Sequence, residues 1–205
     1  MTCPEKLLRI NIEKSIQAKK KFLDDLVNLE KFVAVCKKVL ECYKKGGRIY
    51  IAGNGGSAAD SQHLAAEFVA RFAKDRSPLP AEALTVDPSV VTAIGNDYGY
   101  EQIFSRQVEA KVSDMDIFLG ITTSGNSENI IQALKVCKAK KIPSIVFLGN
   151  DGGKAKDFAD FPLIINDTNT AAIQEAHILL AHTICEYIEN TFFKDQLKEL
   201  RCQKF

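Results

Sequence analysis

The first 45 residues carry apolar side chains at helical spacing. These positions form two runs: Leu8, Ile12, Ile16, Leu23 and Leu26, followed by Phe32, Val35, Cys36, Val39, Leu40 and Tyr43. Apolar residues three and four positions apart predict amphipathic helices, and Gly46-Gly47 supplies a C-terminal cap for the second one. Each helix needs a surface to cover, which we expect to be either the chain's own domain or another subunit.

From residue 48 onward, short apolar runs alternate with helical patterns. Strands are predicted at 48–52, 81–86, 116–122 and 143–149, with a weaker one at 161–165. Helices are predicted from the loop after the first strand to about residue 72, at 128–140 and at 170–193. This alternation is typical of an α/β fold with a doubly wound parallel sheet, a three-layer αβα sandwich. We therefore expect an N-terminal helical extension, residues 1–47, and one α/β domain, residues 48–205.

Two loops at the ends of predicted strands are rich in glycine or hydroxyl residues. Gly53-Asn54-Gly55-Gly56-Ser57 follows the first strand, and Thr122-Thr123-Ser124-Gly125-Asn126-Ser127 follows the third. Ligands of open α/β sheets bind at the carboxyl ends of the strands. Glycines let the backbone approach a ligand closely, and Ser57 is placed to cap the next helix. Hydroxyls at the start of a helix favour a phosphate group.

These loops have two other interpretations. They could be turns with helix caps, but two of them at equivalent places in one sheet favour a ligand site. Gly53-x-Gly55-x-x-Ala58 also fits the glycine pattern of dinucleotide-binding proteins. That pattern expects an acidic residue ~20 positions further on, whereas Asp87 comes 34 residues after Gly53. The hydroxyl-rich loop has no part in such a site.

Four side chains outside the loops are candidates for chemistry. His63 and Glu67 lie four residues apart on one predicted helix and so share a face. Gln174 and His182 lie eight apart on the last helix, about 80° around its axis, and can face one cleft. Together they suit a zinc-like ion or a carboxylate–imidazole pair that moves protons. A surface helix pair and a core histidine are the structural alternatives, and we interpret His177 as structural.

Composition and charge narrow the class of protein. The 205 residues are 46% hydrophobic and 26% charged, with a formal net charge of +1, so no global field attracts nucleic acid or an anionic membrane. No apolar run approaches the ~20 residues of a membrane span, and the N-terminus lacks the apolar segment of a signal peptide. Six cysteines without a C-x-x-C pair fit reduced thiols. We expect a cytoplasmic protein without nucleic-acid or membrane partners.

Long stretches of the chain resemble the phosphoheptose isomerases, which carry the sugar isomerase (SIS) domain. The stretches are GNGGSAADSQHLAAEFVARF, AIGNDYGYEQIFSRQVEA, TTSGNSENII, GNDGGKAKDFAD and AAIQEAHILLAHTICEYIE. The resemblance implies an SIS domain over residues 48–205 and an enzyme that converts sedoheptulose 7-phosphate to D-glycero-D-manno-heptose 7-phosphate through an enediol. It also implies the first step toward nucleotide-activated heptose for bacterial surface glycans such as lipopolysaccharide.

The same resemblance implies roles for individual residues. Glu67 is implied as the base, in contact with the substrate, and His182 as its partner acid or base. Sugar contacts are implied for Asn54, Gly55, Gly56, Ser57, Arg71, Asn96, Asp97 and Gln174, and phosphate contacts for Thr122, Thr123, Ser124 and Ser127. One zinc ion per subunit is implied at His63, Glu67, Gln174 and His182. A homotetramer with sites between subunits is implied for the assembly.

Two departures from the family pattern and one rival function remain. Thr122 stands where serine is usual, and Ala66 where a second glutamate can precede the base. A related protein of the same fold is a catalytically inactive adaptor that binds the bacterial replication initiator, and it lacks the carboxylate and the imidazole. Because Glu67 and His182 are both present, an enzyme is favoured over an adaptor.

Overall fold

A computed structural model describes residues 3–194, which are arranged around a sheet of five parallel strands. The strands are β1 (Ile49–Gly53), β2 (Ala81–Ala83), β3 (Ile117–Thr122), β4 (Ser144–Gly149) and β5 (Phe161–Ile165). Their order across the sheet is β2-β1-β3-β4-β5. The chain therefore winds outward in both directions from the boundary between β1 and β3, which is where doubly wound sheets bind ligands. The predicted fold class is confirmed.

Helices cover both faces of the sheet and give the three layers. They are α1 (Pro4–Asp24), α2 (Leu26–Lys44), α3 (Gly56–Val69), α4 (Pro88–Tyr98), α5 (Ser105–Lys111), α6 (Glu128–Lys140) and α7 (Thr170–Phe192). Helices α1, α2, α3 and α7 contribute to the core on one face, and α4, α5 and α6 to the core on the other. In β1, Ile49 and Ile51 enter the first core while Tyr50 and Ala52 enter the second. Burial on both faces explains why the three central strands, β1, β3 and β4, are nearly continuous apolar runs.

The segment between α3 and β3 differs most from the sequence-based expectation. Helix α3 ends at Val69 rather than near residue 72, and β2 ends at Ala83 rather than at residue 86. The chain turns after β2 because Asp87 caps α4, accepting a hydrogen bond of 3.0 Å from the Val90 amide. Helices α4 and α5 are absent from the sequence-based assignment. Since α4 contains no fully buried residue and packs only the half-buried Val91 and Ile94 against the core, its apolar pattern is short.

The two N-terminal helices differ in what they cover. Val35, Val39 and Tyr43 of α2 are buried in the core beside the sheet, so α2 belongs to the domain's own layer. Helix α1 packs through Ala18 and Phe22. It leaves an apolar stripe that is 47–60% exposed and that we call the α1 stripe: Leu7, Leu8, Ile12, Ile16 and Leu23. An apolar cleft of about 360 Å³ lies beside the stripe, between α1, α2 and α7.

Four cysteines of the described chain are buried as free thiols. They are Cys36, Cys42, Cys137 and Cys185, while Cys202 lies outside the described residues. Burial raises the pKa of the Cys36 thiol to about 11 and the pKa values of Cys42 and Cys137 to about 12. These thiols therefore stay protonated at neutral pH and pack as small hydrophobic groups. Within residues 3–194, no helix has both the length and the apolar character that crossing a bilayer requires.

Candidate active site

The glycine loop (residues 53–57) and the hydroxyl loop (residues 122–127) meet at the boundary between β1 and β3. Asn54 of the glycine loop and Asn129 of α6 form a reciprocal pair of side-chain hydrogen bonds, 2.9 and 2.8 Å long. Tyr100 donates its hydroxyl to the same Asn54 Oδ1 at 2.9 Å. Because each amide serves the other as donor and acceptor, the two orientations fix each other. The pair therefore joins the two predicted ligand loops.

The glycine loop leads into α3 without a side-chain cap. Gly55 is the N-cap residue with a φ of +54°, in the region that favours glycine, and the helix begins at Gly56. The prediction that Ser57 caps this helix is wrong, because Ser57 already lies inside the helix and is buried. The Gln174 side chain lies so near Gly56 that a Cβ there would overlap its amide nitrogen. The space beside Gly56 is therefore filled by the Gln174 amide, whereas the space beside Gly55 is open to a ligand.

The hydroxyl loop gathers three hydroxyl groups at the start of α6. Ser127 is the N-cap residue, but its side chain does not cap the helix. Instead, Ser127 Oγ lies 2.9 Å from Thr122 Oγ1, and Ser124 Oγ lies 3.4 Å from the same Thr122 oxygen. The hydroxyls therefore stand beside the positive end of the helix dipole, where an anion is favoured. This geometry supports the predicted phosphate site.

The chain after β4 supports the hydroxyl loop from outside. Gly125 O accepts a hydrogen bond of 2.9 Å from the Ala155 amide, and Thr123 O accepts one of 3.0 Å from Asn150 Nδ2. Gly125 has a φ of +66°, and a Cβ there would overlap Gly152 O. The two backbones are packed too closely for any side chain between them. The hydroxyl loop is therefore held in place before a ligand arrives.

A cavity of about 390 Å³ lies next to this meeting point. Its lining residues are Asn54, Tyr100, Glu101, Ser127, Glu128 and Asn129. Asn54 and Ser127 are predicted site residues, whereas the sequence analysis missed Tyr100 and Asn129. Tyr100 lies within one of the stretches that carry the family resemblance, and Asn129 follows the hydroxyl loop by two residues. These locations in the chain are the only features of the sequence that could have indicated Tyr100 and Asn129.

A second constellation lies on α3 and α7. His63 Nε2 is 3.0 Å from Glu67 Oε1 and 3.4 Å from His182 Nε2. His63 and Glu67 share a face of α3, as their spacing predicted, and α7 packs beside α3 and supplies His182. Glu67 and His182 are half-buried and His63 is exposed, so a ligand can reach all three. The arrangement can move protons or hold a metal ion.

The donor atoms of this constellation fit zinc. Tetrahedral zinc has N and O ligands at about 2.0–2.2 Å, which places neighbouring ligand atoms about 3.3–3.6 Å apart. His63 Nε2 lies 3.0 Å from Glu67 Oε1 and 3.4 Å from His182 Nε2. One ligand atom from each of the three residues lies within 4.8 Å of the other two, which approaches the zinc geometry. Gln174, the fourth predicted ligand, precedes His182 by eight residues, about 12 Å along α7. Its amide lies at Gly56, where it is a neighbour of the glycine loop, and its role as a metal ligand stays a prediction.

Three other predicted sugar contacts have local partners within the chain. Arg71 is exposed after the end of α3, with Nη1 4.0 Å from Asp75 Oδ1. Asn96 and Asp97 are exposed on α4, where Asn96 Nδ2 donates to Asp97 Oδ1 at 2.8 Å. The structure does not bring these three side chains together. Their exposure leaves them available to a ligand or to a neighbouring subunit.

Two further titratable groups lie on the same helices as the constellation. His177 Nε2 lies 3.0 Å from Leu148 O, and burial lowers the pKa of the imidazole to about 4. His177 is therefore neutral and structural, as interpreted. Asp60, which the sequence analysis missed, lies one turn before His63. Its Oδ2 is buried without a hydrogen-bond partner among the described residues, and burial raises the pKa of this carboxyl group.

Known proteins match the chain in sequence and in structure. Residues 16–149 match the family model of the SIS domain. A phosphoheptose isomerase of Clostridium acetobutylicum is 49% identical over 94% of this chain and 98% of its own length. A phosphoheptose isomerase from Neisseria gonorrhoeae has a solved structure with a TM-score of 0.85 at 40% identity, covering 92% of this chain and 100% of that one. One from Francisella tularensis gives a TM-score of 0.87 at 35% identity, covering 93% and 100%.

Proposed function

Because this chain belongs to the SIS-domain family and, within it, to the phosphoheptose isomerases, we propose that it converts sedoheptulose 7-phosphate to D-glycero-D-manno-heptose 7-phosphate. The reaction moves a proton between two neighbouring carbons and so turns a ketose into an aldose. We place it in the cytoplasm, as the first step toward nucleotide-activated heptose. The observation that carries the proposal is the presence, in one chain, of a hydroxyl loop for phosphate and a carboxylate–imidazole cluster for proton transfer.

Each part of the reaction has a candidate group. The hydroxyl loop holds the phosphate through hydrogen bonds to a charged acceptor, each worth ~1.5–3 kcal/mol. Glu67 removes a proton from the C1 carbon of the ketose, and the electron pair moves to form the enediol. His182 transfers a proton from the C1 oxygen to the C2 oxygen, and Glu67 returns its proton to C2. His63 Nε2, 3.0 Å from Glu67 Oε1, orients the base.

Zinc is the proposed cofactor, one ion per subunit. His63, Glu67 and His182 supply ligand atoms within reach of one another. Gln174 is the proposed fourth ligand, and because its amide lies at Gly56 in this chain, it would reach the ion from a neighbouring copy. Bound zinc would polarise the sugar carbonyl and so make the neighbouring proton easier to remove. Glu67 and His182 would then move protons through the carboxylate oxygen and the ring nitrogen that do not hold the ion.

Elemental analysis of the purified protein should find up to one zinc per subunit, and His63→Ala should lower it. His177→Gln is the matched control, because His177 donates to a backbone carbonyl away from the cluster.

The proposed assembly is a homotetramer whose sites form between subunits. The α1 stripe exposes contiguous apolar side chains, and such patches mark association surfaces. Along α3, Glu67 lies eleven residues after Gly56, an axial rise of about 16 Å, so the cluster stands well away from the glycine loop of its own subunit. A neighbouring copy would bring the hydroxyl loop and the cluster of different subunits to one substrate. Light scattering at several concentrations tests the assembly, and a monomer at working concentration would contradict it.

A turnover assay tests the function directly. The unmodified protein is incubated with sedoheptulose 7-phosphate, before and after treatment with a chelator, and the aldose product is measured. We expect turnover before chelation. Tight binding of the sugar phosphate without turnover on any heptulose or pentulose phosphate would support the adaptor instead. Full activity of the metal-free protein would show that the cluster acts only as acid and base.

A further inference from the structure

A buried ion pair connects the end of α3, the chain that follows it and the end of α7. Arg76 Nε lies 3.1 Å from Glu189 Oε1, and the two side chains are 1% and 2% exposed. Among the ion pairs of residues 3–194, no other has both side chains buried. The desolvation penalty of burying two charges offsets much of the free energy of their attraction. Apolar side chains of similar volume at such positions often give a protein that is equally stable. Stability alone is therefore a weak explanation for this pair.

The remaining donors of Arg76 hold the end of α3. Its Nη2 donates to Glu67 O at 2.7 Å, and its Nη1 donates to Phe68 O at 2.8 Å. Both carbonyls lie in the last turn of α3, where helix carbonyls lack partners within the helix and a positive charge is favoured. Arg76 therefore fixes the backbone of the residue proposed as the base.

The carboxylate of Glu189 holds the chain that follows α3. Oε1 accepts a hydrogen bond from the Phe72 amide at 2.8 Å, and Oε2 accepts from the Ala73 and Lys74 amides at 3.1 and 3.0 Å. The turn fixed in this way places the Phe72 ring against His182, with ring centroids 5.2 Å apart. Glu189 thus constrains the imidazole of the second proposed proton-transfer residue from two helical turns away.

We propose that Arg76 and Glu189 are positioning residues for the isomerisation, which set Glu67 and His182 at the separation that proton transfer needs. The inference rests on the proposed function. Arg76 acts through the main chain of Glu67, and Glu189 acts through Phe72. Displacement of a reacting group by about 1 Å can cost about a hundredfold in rate, so a rigid link between α3 and α7 is of direct use. The pair itself touches neither substrate nor metal.

Two variants test the link at different points. Arg76→Lys keeps the charge but cannot reach both carbonyls of α3 while it pairs with Glu189. Phe72→Leu leaves the ion pair intact and removes only the ring that packs on His182. Asp116→Asn is the matched control, because the Asp116 carboxylate likewise accepts hydrogen bonds from main-chain amides, those of Arg48 and Ser113 before β1 and β3, and its hydrogen bonds involve neither α3 nor α7.

The first readout is the division of the effect between kcat and KM at a temperature where every variant is fully folded. We expect Arg76→Lys and Phe72→Leu to lower kcat about tenfold or more, with KM within about threefold of the unmodified protein. Asp116→Asn should lower the melting temperature and leave kcat unchanged. An equal fall in kcat for Asp116→Asn would overturn the proposal, because general loosening would then explain it.

The second readout does not depend on activity. The chain has three histidines, so their imidazole resonances are easily assigned, with His177 as an internal reference. We expect the resonances of His63 and His182 to shift in both variants and not in Asp116→Asn. Unchanged resonances with unchanged kcat would overturn the positioning role. A lack of turnover by the unmodified protein, with shifted resonances in the variants, would instead reject the proposed function and leave the link supported.

Discussion

Two strand–loop–helix units flank the centre of the sheet and differ in where they carry their polar groups. The first unit is β1, the glycine loop and α3, and the second is β3, the hydroxyl loop and α6. In the first, the loop is mostly glycine, and His63 and Glu67 lie two to three turns along the helix. In the second, the hydroxyls are in the loop itself. In the proposed reaction, the same backbone topology thus serves chemistry in one unit and binding in the other.

The two units also differ in how firmly their loops are supported. The hydroxyl loop is held from outside by the chain after β4, through Gly125 and Thr123. The glycine loop is held by the reciprocal amide pair of Asn54 and Asn129, which is a link to the second unit. The position of the glycine loop therefore depends on the second unit, whereas the hydroxyl loop has its own support. Parallel units in one sheet need not contribute equally to a site.

The largest expected effect comes from the first unit. Glu67→Gln keeps the shape of the side chain and removes the base, and a general base contributes ~10²–10⁴ in rate. We expect at least a ~10²-fold loss in turnover with binding of the sugar phosphate retained. Single-turnover kinetics with separate binding measurements check this, and Glu109→Gln on the exposed face of α5 is the control. Turnover within a few-fold of the unmodified protein would mean that Glu67 is not the base.

The next effect belongs to the second unit and should appear in binding. Ser124→Ala removes one hydroxyl from the loop, so affinity for the sugar phosphate should fall about tenfold. The turnover rate of the bound substrate should change much less. Calorimetry with the phosphorylated and the unphosphorylated sugar checks the assignment, with Ser89→Ala on α4 as the control. Equal affinities of the protein for the two sugars would show that this loop does not bind the phosphate.

A smaller effect is expected from the link between the units. Asn129→Ala removes both hydrogen bonds to Asn54, and the net contribution of such bonds predicts about a fivefold rise in KM. Tyr100→Phe removes only one bond to the same amide and should have the weaker effect of the two. Steady-state kinetics compare them. The reverse order would show that Tyr100, and not the amide pair, aligns the glycine loop.

The smallest effect on activity is expected at His177, beneath the strand next to the second unit. Its pKa is about 4 in the folded chain and near 6.5 in the unfolded one. The unfolded chain therefore binds more protons between these values, and the stability from keeping His177 neutral, up to about 3 kcal/mol, is lost as pH falls from 6.5 to 4. His177→Gln should remove this part of the pH dependence and leave kcat unchanged. Denaturant titrations at pH 7, 5.5 and 4 measure it.

The sequence alone predicts both units because their signals are local. A strand buried on both faces must be apolar throughout. Ligands of such sheets bind at the carboxyl ends of the strands, so a glycine-rich or hydroxyl-rich loop is recognisable there. The spacing of His63 and Glu67 predicts their contact for the same reason, since the helix itself enforces it. Helix α4 escapes prediction because only two half-buried residues, Val91 and Ile94, mark its inner face.

The sequence alone could not predict contacts between distant segments of the chain. Asn54 and Asn129 are 75 residues apart, and Arg76 and Glu189 are 113 apart. No periodicity connects such positions, because the sheet and not the helix brings them together. The error at Ser57 has a different cause: the residue type suits a cap, but the glycine at position 55 begins the helix earlier.

The buried thiols can be used to measure how fast each helical layer unfolds locally. Alkylating reagents attack the thiolate, and burial raises the pKa of Cys137 in α6 and of Cys185 in α7, so labelling has to wait for local unfolding. Mass spectrometry can follow the two sites separately in one sample. Cys137 then reports the unit that holds the hydroxyl loop, and Cys185 reports the helix that carries His182. A sugar phosphate that steadies only the hydroxyl loop should slow alkylation of Cys137 and leave the rate at Cys185 unchanged.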